Sequence, residues 1–469
     1  MLQKPTGKPM SSIPFSSLSL EKSFLQNLDT LGYSEMTEIQ AKSLPDILSG
    51  KDVLGQAKTG SGKTAAFAIG MLTRLAVSDY QVQSLVVCPT RELADQVTTE
   101  IRRIARALPN IKVLTLCGGK SLGTQLSSLE RSPHIVVGTP GRLLKILEKG
   151  ALKLDKLNTL VLDEADRMLD MGFHDDIMKI INRTPGNRQT LLFSATYAEE
   201  IKKISQSIQS NPVEIKVESL HGEKIIQQKF YAVGKTDRTE ILFGVLRKHN
   251  PELSLVFCET RQQCKQIASE LTKSGFKSQA LHGDLEQFQR DEALVRFTNK
   301  SLSILVATDV AARGLDIEDV SAVINYEVTP DPEVHIHRIG RTGRAGKKGL
   351  AITLAADSDA RRLSAIEKFS NISISVSQFN PAESNQSEFT KPPMTTIFIN
   401  SGRKDKIRPG DILGSLTSGG VLSGDNVGKI TIFDKMSYVA VENDVAKQAL
   451  KNLTEGKIKG RSHRARFIR

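Results

Sequence analysis

Ala57-Lys58-Thr59-Gly60-Ser61-Gly62-Lys63-Thr64 follows the apolar run DVLGQ at 52–56, and Asp163-Glu164-Ala165-Asp166 closes a second such run, TLVL at 159–162. A glycine-rich turn between a strand and a helix lets bare N–H groups approach phosphate oxygens. A lysine there neutralises the outer phosphates, and a hydroxyl reaches a metal ion. On that chemistry Thr59, Gly60, Ser61, Gly62, Lys63 and Thr64 are expected to cradle the phosphates of ATP. Thr64 and Asp163 would hold Mg²⁺, and Glu164 would orient and deprotonate an attacking water. Ala57 stands where the common pattern has glycine, so the loop alone is an imperfect match and the carboxylates downstream carry the argument.

Working outward, strand-length apolar runs recur with helical segments between them: SLVVCP (84–89), HIVVGTP (134–140) and QTLLFSAT (189–196). Continuous rather than alternating hydrophobicity predicts parallel strands covered by helices on both faces. In such sheets chemistry sits beyond the carboxyl ends of the strands, which is where the polar motifs fall. A second series begins after Asn211-Pro212, with SLVFCET, SQALHGD, SILVATD, AVINYE and LAITLAA as strand candidates and no phosphate loop of its own. It predicts a second α/β domain that complements the first. Residues 370–393 are rich in Ser, Asn and Pro and suggest an irregular linker. Beyond them TTIFIN, GKITIF, YVAVEN and RARFIR, with helical candidates at 408–418 and 444–456, give the order βαββαβ of an RNA-recognition fold. The expected division is an extension at 1–14 with no assigned role, domains at 15–210 and 223–369 joined by 211–222, a flexible linker at 370–394 and a third domain at 395–469.

The 469 residues carry a net charge of +12, and residues 395–469 hold 14 basic against 7 acidic side chains. The excess is therefore concentrated at the C-terminus, where an anionic partner is expected. The final segment, KIKGRSHRARFIR, has six basic residues and no carboxylate. Neither a signal-peptide core nor a bilayer-length apolar run is present, so a cytoplasmic protein without membrane contact is expected, by default a monomer. The four cysteines lack metal-ligand spacing and read as buried thiols.

In order, the chain contains GYSEMTEIQ, AKTGSGKT, PTRELADQ, Gly118-Gly119, TPGR, DEAD, SAT, HGDLEQFQR, ATDVAARGLD and HRIGRTGR. This series resembles the DEAD-box ATP-dependent RNA helicases over residues 15 to about 345. The resemblance implies two RecA-like domains in tandem. It also implies adenine recognition by Gln40, with Tyr33 against the base and Phe15 holding that segment, and further nucleotide contacts from Gly314 and Asp316. Arg341 and Arg344 would act as arginine fingers on the γ-phosphate, while His337 and Asp166 couple the two halves. Ser194 and Thr196 would link hydrolysis to RNA. RNA contacts would come from Thr90, Arg91, Gly118, Gly119, Thr139, Arg142, Thr260, Arg261, Gln287, Arg290 and Thr308, which suit sugar-phosphate rather than base recognition.

The third domain resembles the C-terminal RNA-binding domain of DbpA-type bacterial members. That implies a 23S rRNA hairpin as partner, within the precursor of the large ribosomal subunit. Arg403, Lys404, Lys406, Arg408, Lys457, Lys459, Arg461, Arg464 and Arg466 are the expected contacts in preference to base stacking on the sheet, because YVAV supplies one aromatic. Other readings remain open at this point: an ATP-regulated RNA clamp or chaperone, and a helicase of mRNA decay or cold response.

Overall fold

The computed structural model describes residues 13–57, 60–197, 199–217, 226–234, 237–312, 320–343, 348–380, 389–418, 420 and 422–468. Four expected site residues, Thr59, Gly314, Asp316 and Arg344, lie outside the described residues. Two compact units divide the chain near residue 220.

In the first unit seven parallel strands form one sheet: β1 (Val53–Gln56), β2 (Ser84–Val87), β3 (Val113–Leu116), β4 (Ile135–Gly138), β5 (Thr159–Leu162), β6 (Gln189–Ser194) and β7 (Val213–Lys216). Their order is β3-β4-β2-β5-β6-β1-β7. Every residue of β2, β4, β5 and β6 is buried, as doubly covered strands require. Val86, Val137, Val161 and Leu191 point to one helical layer, and Leu85, Val136, Leu160 and Leu192 to the other. The strands thus hold their carboxyl ends on one rim, from which the polar motifs emerge.

The second unit repeats this plan. Its strands are β8 (Ile226–Ala232), β9 (Ser254–Cys258), β10 (Ser278–Leu281), β11 (Ile304–Thr308), β12 (Ala322–Asn325), β13 (Gly349–Ala355) and β14 (Val376–Gln378), in the order β10-β11-β9-β12-β13-β8-β14. Counted within each sheet, both orders are 3-4-2-5-6-1-7. Two RecA-like sheets of one topology therefore stand in tandem, although only the first carries a phosphate loop.

Part of the stretch read as a flexible linker is structured. Its residues 376–378 form β14, paired parallel to β8. Phe379 packs edge-on against Tyr231 at 5.6 Å and fills the space that a Cβ on Gly244 would need. Phe389 lies 4.7 Å from the Phe276 ring, and Asn250 exchanges two hydrogen bonds with Thr390. Aromatic anchoring of this kind opposes the chain entropy that the Ser/Asn-rich composition favours. Likewise β7 lies within the stretch read as the first linker.

The C-terminal sheet, β16-β17-β15-β18, is antiparallel and built from β15 (Met394–Ile399), β16 (Val427–Ile432), β17 (Ser437–Glu442) and β18 (Ala465–Phe467). Ile397, Ile399, Val439 and Val441 point to the helices Pro409–Thr417 and Ala446–Glu455. The opposite face is partly covered within the same unit: Thr396 Oγ1 bonds Asn299 and Ser301. Tyr438 on that face is 1% exposed. Burial first, then the Glu292 and Asp291 carboxylates, push its hydroxyl up to about 12.

One buried histidine gives the second unit a pH dependence. His335 stacks on Phe230 and meets Gln228 Oε1 at 3.2 Å. Burial, then the neighbouring Arg338 charge, lowers its pKa to about 4. The unfolded chain takes up this proton near pH 6.5 and the folded chain only near 4. Stability is therefore fully present above pH 6.5 and falls by about 3 kcal/mol as pH drops to 4. Denaturant titrations at pH 7 and pH 4.5 should show this loss, and His335→Gln should remove most of it.

Candidate functional site

Gly62 has φ 95° and precedes the helix Lys63–Thr73. A Cβ there would meet Gln40 Nε2 at 2.5 Å and Thr37 Oγ1 at 2.8 Å, so glycine is what lets the helix Glu38–Leu48 sit against the loop. Gln40 Nε2 donates to Gly62 O at 3.0 Å, and its Oε1 accepts from Thr37 N at 2.8 Å. The amide keeps one proton and one lone pair for a ligand. Phe15 meets the Tyr33 ring edge-on at 5.8 Å. The Tyr33 hydroxyl donates to Glu100, and burial together with that carboxylate raises its pKa well above the usual range. Of the three residues expected on the adenine side, Phe15 and Tyr33 are thus held by ring packing and Gln40 by main-chain hydrogen bonds.

Lys63 is 3% exposed and Asp163 fully buried, with Nζ 3.0 Å from Oδ1. Burial works to lower the Lys63 pKa, but the Asp163 and Glu164 charges outweigh it and keep the ammonium protonated. Burial raises the Asp163 carboxyl, and Lys63 offsets only part of this. Glu164 adopts φ 53°, ψ 53°. That left-handed conformation costs a non-glycine residue about 1–2 kcal/mol and turns its carboxylate out of the strand line. Oε2 accepts from Arg167 Nη1 at 2.9 Å, and Oε1 lies 4.0 Å from Lys63 Nζ. Two cations thus flank the carboxylate beside the phosphate loop.

Asp166 joins two motifs that are far apart in sequence. Its Oδ2 accepts from Ala195 N and Thr196 N, both at 3.0 Å, and its Oδ1 from Arg167 N at 2.9 Å. Ser194 Oγ accepts from Thr196 N at 3.3 Å. One buried carboxylate therefore fixes the turn after β6 to the turn after β5.

The residues expected to touch RNA in the first unit converge on the same rim. Thr90 caps the helix Arg91–Ile104, its side chain accepting from Leu93 N. The Arg91 guanidinium lies over the glycine pair so closely that a Cβ on Gly119 would be 2.0 Å from Nη1. Arg142 Nη1 reaches Lys120 O at 3.1 Å, and Thr139 precedes the helix Pro140–Glu148. Helix N-termini and arginines gathered on one rim have the chemistry suited to anionic ligands.

In the second unit Thr260 caps the helix Arg261–Lys273 as Thr90 does in the first. Arg261 pairs with Asp284, and Gln287 Nε2 donates to Asp291 Oδ1 at 3.0 Å. Arg290 reaches Ala311 O at 3.5 Å, beside Thr308 at the end of β11. His337 belongs to the helix Pro332–Ile339 and Arg341 to the turn after it, where Arg341 is 4% exposed.

Two basic turns meet in the C-terminal domain: Lys459 Nζ donates to Lys406 O at 3.0 Å, which brings Arg403, Lys404, Lys406 and Arg408 near Lys457, Lys459 and Arg461. Beside β18 a groove of about 610 Å³ is lined by Phe398, Asn400, Thr454, His463, Arg464 and Arg466. The Arg466 guanidinium lies 4.8 Å from the Phe398 ring centroid. Such a mixed aromatic and cationic wall suits an unstacked base and its phosphate.

Three family models match the chain: DEAD/DEAH box helicase over residues 37–204, helicase conserved C-terminal domain over 234–346, and DbpA RNA binding domain over 396–467. The ATP-dependent RNA helicase DbpA of Escherichia coli (strain K12) is 50% identical over 97% of this chain and 99% of its own length. The chain belongs to the DEAD-box ATP-dependent RNA helicases of the DbpA type. As a DEAD-box helicase it binds ATP and RNA and hydrolyses ATP in an RNA-dependent way, with a C-terminal RNA-binding domain. DEAD-box ATP-dependent RNA helicase CshA of Geobacillus kaustophilus is 43% identical over 76% of this chain and 76% of its own length. Among solved structures, S. cerevisiae Dbp5 bound to RNA and ADP BeF3 is similar with a TM-score of 0.70 and 30% identity, over 78% of this chain and 95% of that one.

Several residues of this DEAD-box site escape a motif-by-motif reading. Arg167 partners Glu164 from within the same helical turn. Arg338 grips Asp309 with two bonds of 2.7 and 2.6 Å, tying the helix that precedes Arg341 to the segment after Thr308. Arg338 stands inside HRIGRTGR and Arg167 directly after DEAD, and the buried bond of Arg167 and the bidentate grip of Arg338 are features that only the fold displays. Asn400 and His463 carry no pattern and enter through the groove alone. Among the described residues no helix is long and apolar enough to cross a membrane.

Proposed function

We propose that this helicase locally unwinds or remodels 23S rRNA during assembly of the large ribosomal subunit, with its C-terminal domain gripping an rRNA hairpin. End-to-end similarity to DbpA that includes the RNA-binding domain carries this reading. The groove beside β18 and the paired basic turns supply the means of grip. Contacts from the core to sugar and phosphate orient a strand without reading bases, so specificity falls to the third domain.

In the catalytic step Lys63 neutralises the outer phosphates, Glu164 takes the proton of the attacking water, and Arg341 with Arg344 meets the charge developing on the γ-phosphate. His337 couples the halves. The Asp163 carboxylate is fully buried with the Lys63 ammonium against Oδ1 as its one charged side-chain neighbour within 3.0 Å among the described residues, and an oxygen donor of this kind fits a hard divalent cation. Thr64 and Asp163 would hold Mg²⁺, which supplies charge neutralisation at the phosphates. The protein works as a cytoplasmic monomer.

The test is binding of the full-length chain to a panel of 23S hairpins and unrelated hairpins of matched stem length. One ribosomal hairpin should bind about tenfold or more tightly than the rest, and Arg464→Ala or Lys406→Ala should reduce that preference. A flat response across the panel removes the rRNA assignment.

A further inference from the structure

Tyr197 immediately follows the Ser194–Thr196 segment. Its ring is gripped by two cations: Lys216 Nζ at 4.2 Å and Lys202 Nζ at 5.2 Å from the centroid. The side chain also packs against the core cluster that includes Leu192, Ile201 and Ile204. Burial, then the Glu214 carboxylate, pushes the Tyr197 hydroxyl up to about 12, so it stays protonated beside that acid. Glu214 and Lys216 both belong to β7, the last strand of the first sheet. The next strand of the chain, β8, belongs to the second unit.

Lys216 is also held from the adenine side. Its carbonyl accepts from Lys42 Nζ at 3.2 Å, and Lys42, two residues beyond Gln40 on the same helix, pairs with Glu38 at 2.8 Å. On the other side of Tyr197, Ala195 and Thr196 donate to Asp166. The turn also bonds β1: Ala57 N donates to Ser194 O at 2.9 Å, and Gln56 Nε2 reaches Ala195 O at 3.5 Å. A continuous path of contacts therefore runs from the DEAD carboxylates through the Ser194–Thr196 segment and Tyr197 to the end of β7. The links from Tyr197 to β7, ring to the Lys216 ammonium and hydroxyl to the Glu214 carboxylate, are made by side chains alone.

We infer that Tyr197 is a positioning residue: gripped by Lys216 and Lys202, its ring keeps the Ser194–Thr196 segment in register with β7, so that a change at the ATP site reaches the chain leading to the second unit. This rests on the coupling role given to Ser194 and Thr196. Tyr197 touches neither phosphate nor catalytic carboxylate, so its loss separates coupling from chemistry.

The experiment measures, on the full-length chain, RNA-stimulated ATP turnover and the number of short duplexes separated per ATP. Tyr197→Ala should keep turnover within about twofold while separation per ATP falls about fivefold, the factor carried by a cation–π contact of ordinary strength. Tyr197→Phe should restore the ratio, because ring and cations remain. Lys216→Ala should lower it and Lys216→Arg restore it. An unchanged ratio in Tyr197→Ala overturns the inference alone. So does an equal loss of turnover and separation with a lowered melting temperature, the mark of a purely structural role. Absence of ATP-dependent separation in the wild-type chain removes the coupling role itself, and the inference with it.

Discussion

Glu164→Gln lowers RNA-stimulated ATP turnover by about 10²–10⁴-fold, the range for loss of a positioned general base, while ATP and RNA still bind. The amide occupies the same volume, and its carbonyl oxygen can still accept from Arg167 Nη1, the bond that holds the wild-type side chain at 2.9 Å. What it lacks is the lone-pair basicity to take a proton from water. The left-handed backbone at φ 53° is unchanged, so the aim of the side chain is preserved and the loss isolates its chemistry. Single-turnover hydrolysis beside equilibrium nucleotide binding checks this. Turnover within threefold of wild type would place the base elsewhere.

Lys63→Ala acts on two levels at once. It removes the cation proposed to neutralise the outer phosphates, and it leaves Asp163, fully buried, without the ammonium 3.0 Å away. Breaking a buried pair in this way costs about 3–5 kcal/mol, since the remaining charge is left uncompensated. Turnover should fall below detection, and the first unit should unfold at distinctly lower denaturant. The double variant Lys63→Ala/Asp163→Asn removes the orphaned charge as well. It should regain much of the stability and none of the activity, a non-additive cycle that reports the pair directly. Equal stability of Lys63→Ala and wild type would show that the ion pair is absent in solution.

How far sequence carried the fold depended on burial. β1, β2, β4, β5 and β6 were legible as apolar runs because helices cover both their faces. β3, β7 and β14 were not. They lie at the sheet edges, where β7 (VEIK) and β14 (VSQ) expose polar residues that resemble loop composition. β8 was missed for another reason: its IQQKFYA carries Gln228, which pairs with His335 from a distant helix. The two anchors Phe379 and Phe389 stand alone in polar sequence, and only Tyr231 and Phe276 across the fold explain them. At the site, motif order placed Lys63, Asp163, Glu164 and Asp166 on one rim. The hydrogen bonds that Asp166 accepts from Ala195 and Thr196 span 29 and 30 residues, so this physical link between the two motifs is visible only in three dimensions.

Steady-state ATP hydrolysis by the full-length chain, measured without nucleic acid, with DNA, with bulk RNA and with hairpin-bearing fragments of 23S rRNA, tests the account most directly. It predicts near-background rates without RNA and with DNA, stimulation by bulk RNA, and half-maximal stimulation at the lowest concentration with one ribosomal fragment. Hydrolysis at one rate whether or not RNA is present, or stimulation by DNA equal to that by RNA, would contradict it.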